Sequence, residues 1–174
     1  LDLDGTILEN QESKTKNSNV EISPRILSEL STICQLNIPI FIVTNQPGIA
    51  KGFFTWDDFN QFRCRLESTL SVHNVHISRW YVCPHHPDSG YPKEIYNLKK
   101  LCECRKPGNK FARDAAEDYL IDLELSTMIG DTEADAGFAR TSGMQFIKVH
   151  LDHDGFQNQS INTWVALQRV AEVK

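Results

Sequence analysis

The sequence predicts an α/β fold, a doubly wound and mostly parallel sheet in one domain over residues 1–174. Two observations lead there. Short apolar runs of strand character alternate with stretches whose apolar residues recur at helical spacing, in βαβα order. The runs also end in polar residues, and Asp2, Thr44 and Asp131 each close one. Parallel strands buried on both faces read as near-continuous apolar runs, and ligands of such sheets collect beyond the carboxyl ends of the strands. At 174 residues with 40% hydrophobic residues, the chain has enough apolar material for one core.

The elements follow in order. Leu1 to Asp4 reads as the end of a strand. A buried strand needs about five or six residues, so the first strand is expected to begin before Leu1, the stretch being either cut from a longer chain or short of disordered residues at its start. Ser23-Pro24 is a cap followed by proline at the first helical position, and Ile26, Leu27, Leu30 and Ile33 recur at helical spacing. Ile38 to Val43 is a strand ending in Thr44-Asn45. Thr55 caps the next helix, with Asp57 and Asp58 in its first turn and Phe59, Phe62 and Leu66 as its buried stripe. Ser78 to Val82 is a strand, and Cys83 begins a long loop. A helix from about Asn109 turns Phe111, Ala112, Ala115, Ala116 and Tyr119 inward. Ser126 to Ile129 is a strand, followed by a short helix and the strand Gln145 to Val149. The tail offers an amphipathic helix through Trp164, Leu167 and Val170.

Composition excludes several classes. A net charge of -5 argues against a general nucleic-acid binder. No stretch is long and apolar enough to span a membrane, and no signal-peptide pattern appears. Five cysteines, three of them near a histidine, read as metal ligation in a reducing, cytoplasmic compartment. The other two, Cys34 and Cys64, lie on helical patterns and read as core residues.

The polar fragments carry chemistry together. An Asp at a strand end either caps a turn or attacks phosphorus to form an aspartyl-phosphate. Asp2 is the candidate nucleophile. Asp4, two residues on, points the same way in extended chain and suits a general acid and base, while Gly5 and Thr6 permit the turn that places it. Phosphoryl charge must be neutralised before a carboxylate approaches, and Mg2+ does this with oxygen ligands. Asp2 and Asp131 offer carboxylates, the Asp4 carbonyl a further oxygen, and Asp135, one helical turn after Asp131, supports the metal or its waters. Lys106 offers a mobile positive charge, and Thr44 and Asn45 offer donors. A helix cap at Asp131-Thr132 and surface charge at Arg105-Lys106 are the plainer readings of those pairs.

Cys83-Pro84-His85 and Cys102-Glu103-Cys104 are two matching hooks, the ligand set of a structural Zn2+ in a loop over residues 83–104. His86 competes with His85 for one position. Cys104 directly precedes Arg105 and Lys106, so zinc there braces the phosphate-binding residues.

From Leu1 to about Val149 the chain resembles the haloacid dehalogenase superfamily phosphatases. Within them it is similar to the branch of heptose-bisphosphate and histidinol-phosphate phosphatases. The resemblance implies a Rossmann-like fold without a cap domain. It implies Asp2 as nucleophile, Asp4 as acid and base, Thr44, Asn45 and Lys106 as phosphate ligands, Asp131 as a Mg2+ ligand, and Cys83, His85, Cys102 and Cys104 as zinc ligands. The stretch Thr44 to Gly52 is close to the family's second motif and adds Gln46 and Lys51 as substrate contacts; Arg105 is the candidate for the remote end of the substrate. The long loop beginning Cys-Pro-His-His-Pro is more like the heptose enzymes, which implies a small sugar phosphate such as heptose 1,7-bisphosphate as the substrate; the chain is expected to act as a monomer. Thr132 departs from the Lys or Arg that both branches place after the motif Asp. Between Thr6 and the first helix, and after Gly52, no segment is long enough for a cap, so residues 8–20 and the zinc loop are expected to roof an open site. A histidinol-phosphate phosphatase, a nucleic-acid 3'-phosphatase and a non-catalytic zinc-stabilised interaction domain remain alternatives.

Overall fold

The computed structural model describes residues 1–8 and 20–149, and the backbone alone at 151–152 and 155–156. Helix α1 spans Pro24–Gln35, and its apolar spacing buries Ile26, Leu27, Leu30 and Ile33. Ser23 precedes it as expected, but its side chain makes no capping hydrogen bond among the described residues. Strand β1 (Ile40–Asn45) carries Thr44 and Asn45 inside the strand, and a one-turn helix α2 (Pro47–Ala50) follows directly. That turn had no sequence signal, since four residues are too few to show a period. Helix α3 (Trp56–Val72) begins with the expected cap. Thr55 Oγ1 accepts from the Asp58 backbone N–H, and the Asp58 carboxylate accepts from the Thr55 backbone in return.

Strand β2 (Ile77–Cys83) pairs in parallel with β1. Helix α4 spans Lys110–Tyr119 and buries Ala112 and Ala115. Strand β3 (Thr127–Gly130), helix α5 (Glu133–Ser142) and strand β4 (Gln145–Lys148) complete the repeat, with β3 and β4 parallel. A small antiparallel pair, β5 (Leu151–Asp152) and β6 (Gly155–Phe156), follows. The expected tail helix, His150, His153 and residues 9–19 of the expected roofing segment 8–20 lie outside the described residues.

Residues 1 and 2 join the two strand pairs. The Leu1 nitrogen donates to Phe41 O at 2.7 Å and Leu1 O accepts from Val43 N at 2.9 Å, flanking Ile42 in the parallel pattern. On the other side Asp2 N donates to Ile129 O at 2.9 Å. The order is therefore β2, β1, residues 1–2, β3, β4. Side-chain alternation splits the core in two. Ile40, Ile42 and Ile129 pack with α1 and α3, whereas Phe41, Val43, Tyr81 and Met128 pack with α4 and α5. That is a doubly wound sheet. Between β1 and β2 lie only α2 and α3, and no helix among the described residues is long and apolar enough to cross a membrane.

Burial corrects the reading of Cys64 and Tyr119 and is partial at Cys34, Phe111 and Ala116. Cys64 is exposed and Cys34 half-buried. Cys64 sits two residues from both Phe62 and Leu66, so it points away from the α3 stripe. Tyr119 is 40% exposed, although its ring stands edge-on to Phe41 at 4.9 Å and its hydroxyl donates to Ser78 O. Phe111 and Ala116 are half-buried.

Candidate active site

The carboxyl ends of β1, residues 1–2 and β3 bring Asp2, Thr44 and Asp131 to one edge of the sheet. Asp2 is buried, and its Oδ1 accepts from Leu3 N at 2.8 Å. Lys106 reaches it from the loop before α4. Its Nζ lies 2.7 Å from Asp2 Oδ1 and 2.6 Å from Asp135 Oδ1, and it donates to Val43 O at 2.8 Å. This corrects the expectation of a mobile charge: the Lys106 side chain is 2% exposed and held at three points. Asn45 holds the Lys106 backbone as well. Its Nδ2 donates to Lys106 O at 3.1 Å and its Oδ1 accepts from Lys106 N at 3.0 Å.

Gln46 holds the second carboxylate. Its Nε2 donates to Asp4 Oδ2 at 2.8 Å and to Thr44 Oγ1 at 2.9 Å. Thr44 and Gln46 are both buried. Gly5 makes the turn at φ 74°, where an L side chain is strained, and a Cβ there would collide with the Asp131 carboxylate. Thr132, not Asp131, caps α5, and Asp135 completes that capping box. Sequence reasoning missed the parts played by Asn45 and Gln46 in holding other residues, because the fold alone brings Lys106 and Asp4 to them, whereas the cap at Asp131-Thr132 was readable from the sequence and falls on Thr132.

Charge is unbalanced here. Asp2, Asp131 and Asp135 present carboxylate oxygens within 4.8 Å of one another, and among the described residues the Lys106 ammonium is ion-paired with two of them, Asp2 and Asp135. Burial pushes the Asp2 carboxyl up to about 6, with Lys106 opposing and Asp135 adding. Burial also raises Asp131, and Asp135 contributes. Asp131 Oδ1 is buried and has no hydrogen-bond partner among the described residues. Clustered carboxylates with an orphaned oxygen fit a hard divalent cation.

The hooks meet as expected. Cys83, His85, Cys102 and Cys104 form a group able to hold a metal ion. Sulfur–sulfur distances are 3.5, 3.4 and 3.3 Å, and His85 Nδ1 lies 3.6 Å from Cys83 Sγ and 3.3 Å from Cys104 Sγ. A tetrahedral site with metal–sulfur bonds of about 2.3 Å has edges of about 3.8 Å, so the donors already stand near its corners. Burial pushes the Cys83 and Cys104 thiols up, while at Cys102 bonds from the neighbouring thiols outweigh burial and lower it. Burial, then Lys100, lowers His85, which favours the neutral imidazole that binds metals. His86 stands outside the group, its Nε2 3.5 Å from Asp88. Two further predicted residues meet the first hook and the loop after it. Arg105 Nη1 donates to His85 O at 3.3 Å, and Lys51 Nζ lies over the Tyr91 ring at 4.8 Å. Both sit against the loop, whereas Thr44, Asn45, Gln46 and Lys106 gather around Asp2 and Asp4.

The fold and this site define a phosphatase of the haloacid dehalogenase type. A family profile described as HAD-hyrolase-like matches residues 103–155. A Thermoplasma volcanium protein, named a probable D-glycero-D-manno-heptose-1,7-bisphosphate 7-phosphatase, is 33% identical over 147 residues, covering 84% of this chain and 93% of its own. The D-glycero-beta-D-manno-heptose-1,7-bisphosphate 7-phosphatase of Photorhabdus laumondii is 34% identical, covering 75% of this chain and 68% of its own. Among solved structures, a HAD-like phosphatase of Mesorhizobium loti superposes with a TM-score of 0.83 at 23% identity, over 97% of this chain and 84% of its own. The D,D-heptose 1,7-bisphosphate phosphatase of B. bronchiseptica, complexed with magnesium and phosphate, gives 0.74 at 24%, over 95% and 83%. The chain belongs to the haloacid dehalogenase superfamily, in the branch that holds the D-glycero-D-manno-heptose-1,7-bisphosphate 7-phosphatases. It is a phosphoric monoester hydrolase.

Proposed function

We propose that this domain hydrolyses D-glycero-D-manno-heptose 1,7-bisphosphate at its 7-phosphate. The observation that carries the chemistry is the meeting of Asp2, Lys106 and Asp131 at the carboxyl edge of the sheet, with Asp4 fixed by Gln46. The substrate rests on the names of the relatives.

In this reading a carboxylate oxygen of Asp2 attacks phosphorus, and the bond from phosphorus to the sugar oxygen breaks. Asp4, in its acid form, gives its proton to the leaving oxygen. Asp4 then takes a proton from water, which attacks the aspartyl-phosphate and releases phosphate and free Asp2. Lys106 and the Thr44 hydroxyl hold phosphoryl oxygens, while Asn45 anchors the Lys106 backbone. Mg2+ suits the acidic site, held by Asp2, Asp131 and the Asp4 carbonyl with Asp135 behind them, and when bound it neutralises the phosphoryl oxygens. The Cys83, His85, Cys102 and Cys104 set suits a structural Zn2+ that braces Arg105 and Lys106. Free thiols in such a site fit a cytoplasmic setting.

Turnover of heptose 1,7-bisphosphate, histidinol phosphate and a 3'-phosphorylated oligonucleotide, each with Mg2+, tests the substrate. The heptose bisphosphate is expected to give the highest kcat/KM. Faster turnover of histidinol phosphate would assign the function to that branch.

A further inference from the structure

Two helices of this chain begin with the same capping box, and only one of them touches the site. At α3 the Asp58 carboxylate accepts from Thr55 N at 3.0 Å and Thr55 Oγ1 at 2.7 Å. At α5 the Asp135 Oδ2 accepts from Thr132 N at 3.0 Å and from Thr132 Oγ1 at 2.5 Å, while Thr132 Oγ1 accepts from Asp135 N at 3.3 Å. The difference lies in the other oxygen. Asp135 is wholly buried, and its Oδ1 lies 2.6 Å from Lys106 Nζ, which lies 2.7 Å from Asp2 Oδ1. A Cβ at Gly130 would collide with the Asp135 carboxylate, so the strand closes that side. Thr132 itself is exposed, at the mouth of this chain of contacts.

A carboxylate held on one oxygen by two donors cannot turn about its terminal bond without breaking them. The orientation of Asp135 therefore depends on Thr132, and the place of the Lys106 ammonium depends on Asp135. We infer that Thr132 is a positioning residue for phosphoryl transfer, acting through Asp135 to hold Lys106 against Asp2. This rests on the phosphatase reading above. It gives Thr132 a task that needs no positive charge of its own.

Thr132→Val keeps the shape and removes the hydroxyl. It is expected to lower kcat for p-nitrophenyl phosphate about 10- to 100-fold, the scale of a small misplacement of a reacting group. Thr132→Ser is expected to restore at least half of the activity. Thr55→Val removes the matching cap on α3 and supplies the control: a comparable fall in Tm with kcat unchanged. In a double-mutant cycle Thr132→Val is expected to add nothing to the loss caused by Asp135→Asn, since both act along one path. If Thr132→Val does not fold, Thr132→Gly serves, because helix N-caps tolerate glycine and it too lacks the hydroxyl. Full kcat in Thr132→Val or Thr132→Gly, equal losses in the Val and Ser variants, or losses that multiply with Asp135→Asn would each overturn the inference while the unaltered chain still turns over. An unaltered chain with no turnover on any phosphomonoester would instead overturn the phosphatase reading, and the role of Thr132 with it.

Discussion

Gln46 holds Asp4 by a 2.8 Å hydrogen bond to Oδ2, and the same amide nitrogen reaches Thr44 Oγ1 at 2.9 Å. One buried side chain thus ties the proposed acid to a proposed phosphate ligand. A general acid matters most when the leaving oxygen is a poor leaving group. Gln46→Leu should therefore lower kcat/KM for an alkyl phosphate about 10- to 100-fold and for p-nitrophenyl phosphate much less. Equal losses on the two esters would mean that Gln46 does not act through Asp4.

Asp2 and Lys106 should respond in opposite ways to removal of charge. Asp2→Asn removes one of three clustered carboxylates, and leaves Lys106 its 2.6 Å contact with Asp135. Turnover should fall on the order of a thousandfold or more, with Tm unchanged or raised. Lys106→Ala leaves buried carboxylates without a counter-charge and should cost about 3–5 kcal/mol in denaturant unfolding. Substantial turnover in Asp2→Asn would remove it from the nucleophile's role.

The fold and the ends of its strands were legible because buried parallel strands are apolar and their polar ends interrupt the pattern. Asp2, Thr44 and Asp131 were placed that way, and the hooks of Cys83, His85, Cys102 and Cys104 by their spacing. What stayed hidden depends on contacts far apart in sequence. Asn45 reads as a donor to a ligand, yet both ends of its amide bind the Lys106 backbone, 61 positions away. Lys106 reads as a mobile surface charge because its burial is decided by Val43 O and two distant acids. Cys64 is the exception that the sequence does settle: two residues from both Phe62 and Leu66, it falls opposite the stripe already read for α3, and its exposure follows from that spacing.

Asp2 also sets a pH dependence for metal binding. Folding raises its carboxyl from the ordinary 3.8 to about 6, chiefly by burial. The neutral form is favoured, so this group's contribution to stability in metal-free protein is present below 3.8 and lost as pH rises through about 6. A divalent cation binds the ionised form and competes with that proton. The rise in Tm on adding Mg2+ should therefore be large above the value of about 6 and shrink below it. Asp2→Asn should remove most of this step. A Mg2+ effect equal on both sides would contradict the assignment of Asp2 as a ligand.

The hooks should hold one zinc per chain. Elemental analysis of protein purified without added metal is expected to give about one equivalent, and Cys102→Ser with Cys104→Ser to give almost none. Acid should release the metal, because His85 and the raised thiols of Cys83 and Cys104 must be deprotonated to bind it. Zinc kept in full by the double variant would refute the ligand set.

Arg105 links the zinc loop to substrate choice. Its guanidinium donates to His85 O at 3.3 Å, so its direction depends on the hook and not on Asp2. Lys106, the next residue, turns inward to the reacting carboxylate at 2.7 Å. Adjacent residues thus face two regions, one at the proposed reacting phosphate and one beside the loop. Binding energy gained at the far end of a substrate assists reaction at the near end only for substrates that reach it. Arg105→Ala should lower kcat/KM for heptose 1,7-bisphosphate at least about tenfold, and for p-nitrophenyl phosphate less than about threefold. The comparison is internal to one variant, so a general loss of stability lowers both rates alike and leaves their ratio unchanged. Equal losses on both esters would place Arg105 at the reacting phosphate beside Lys106.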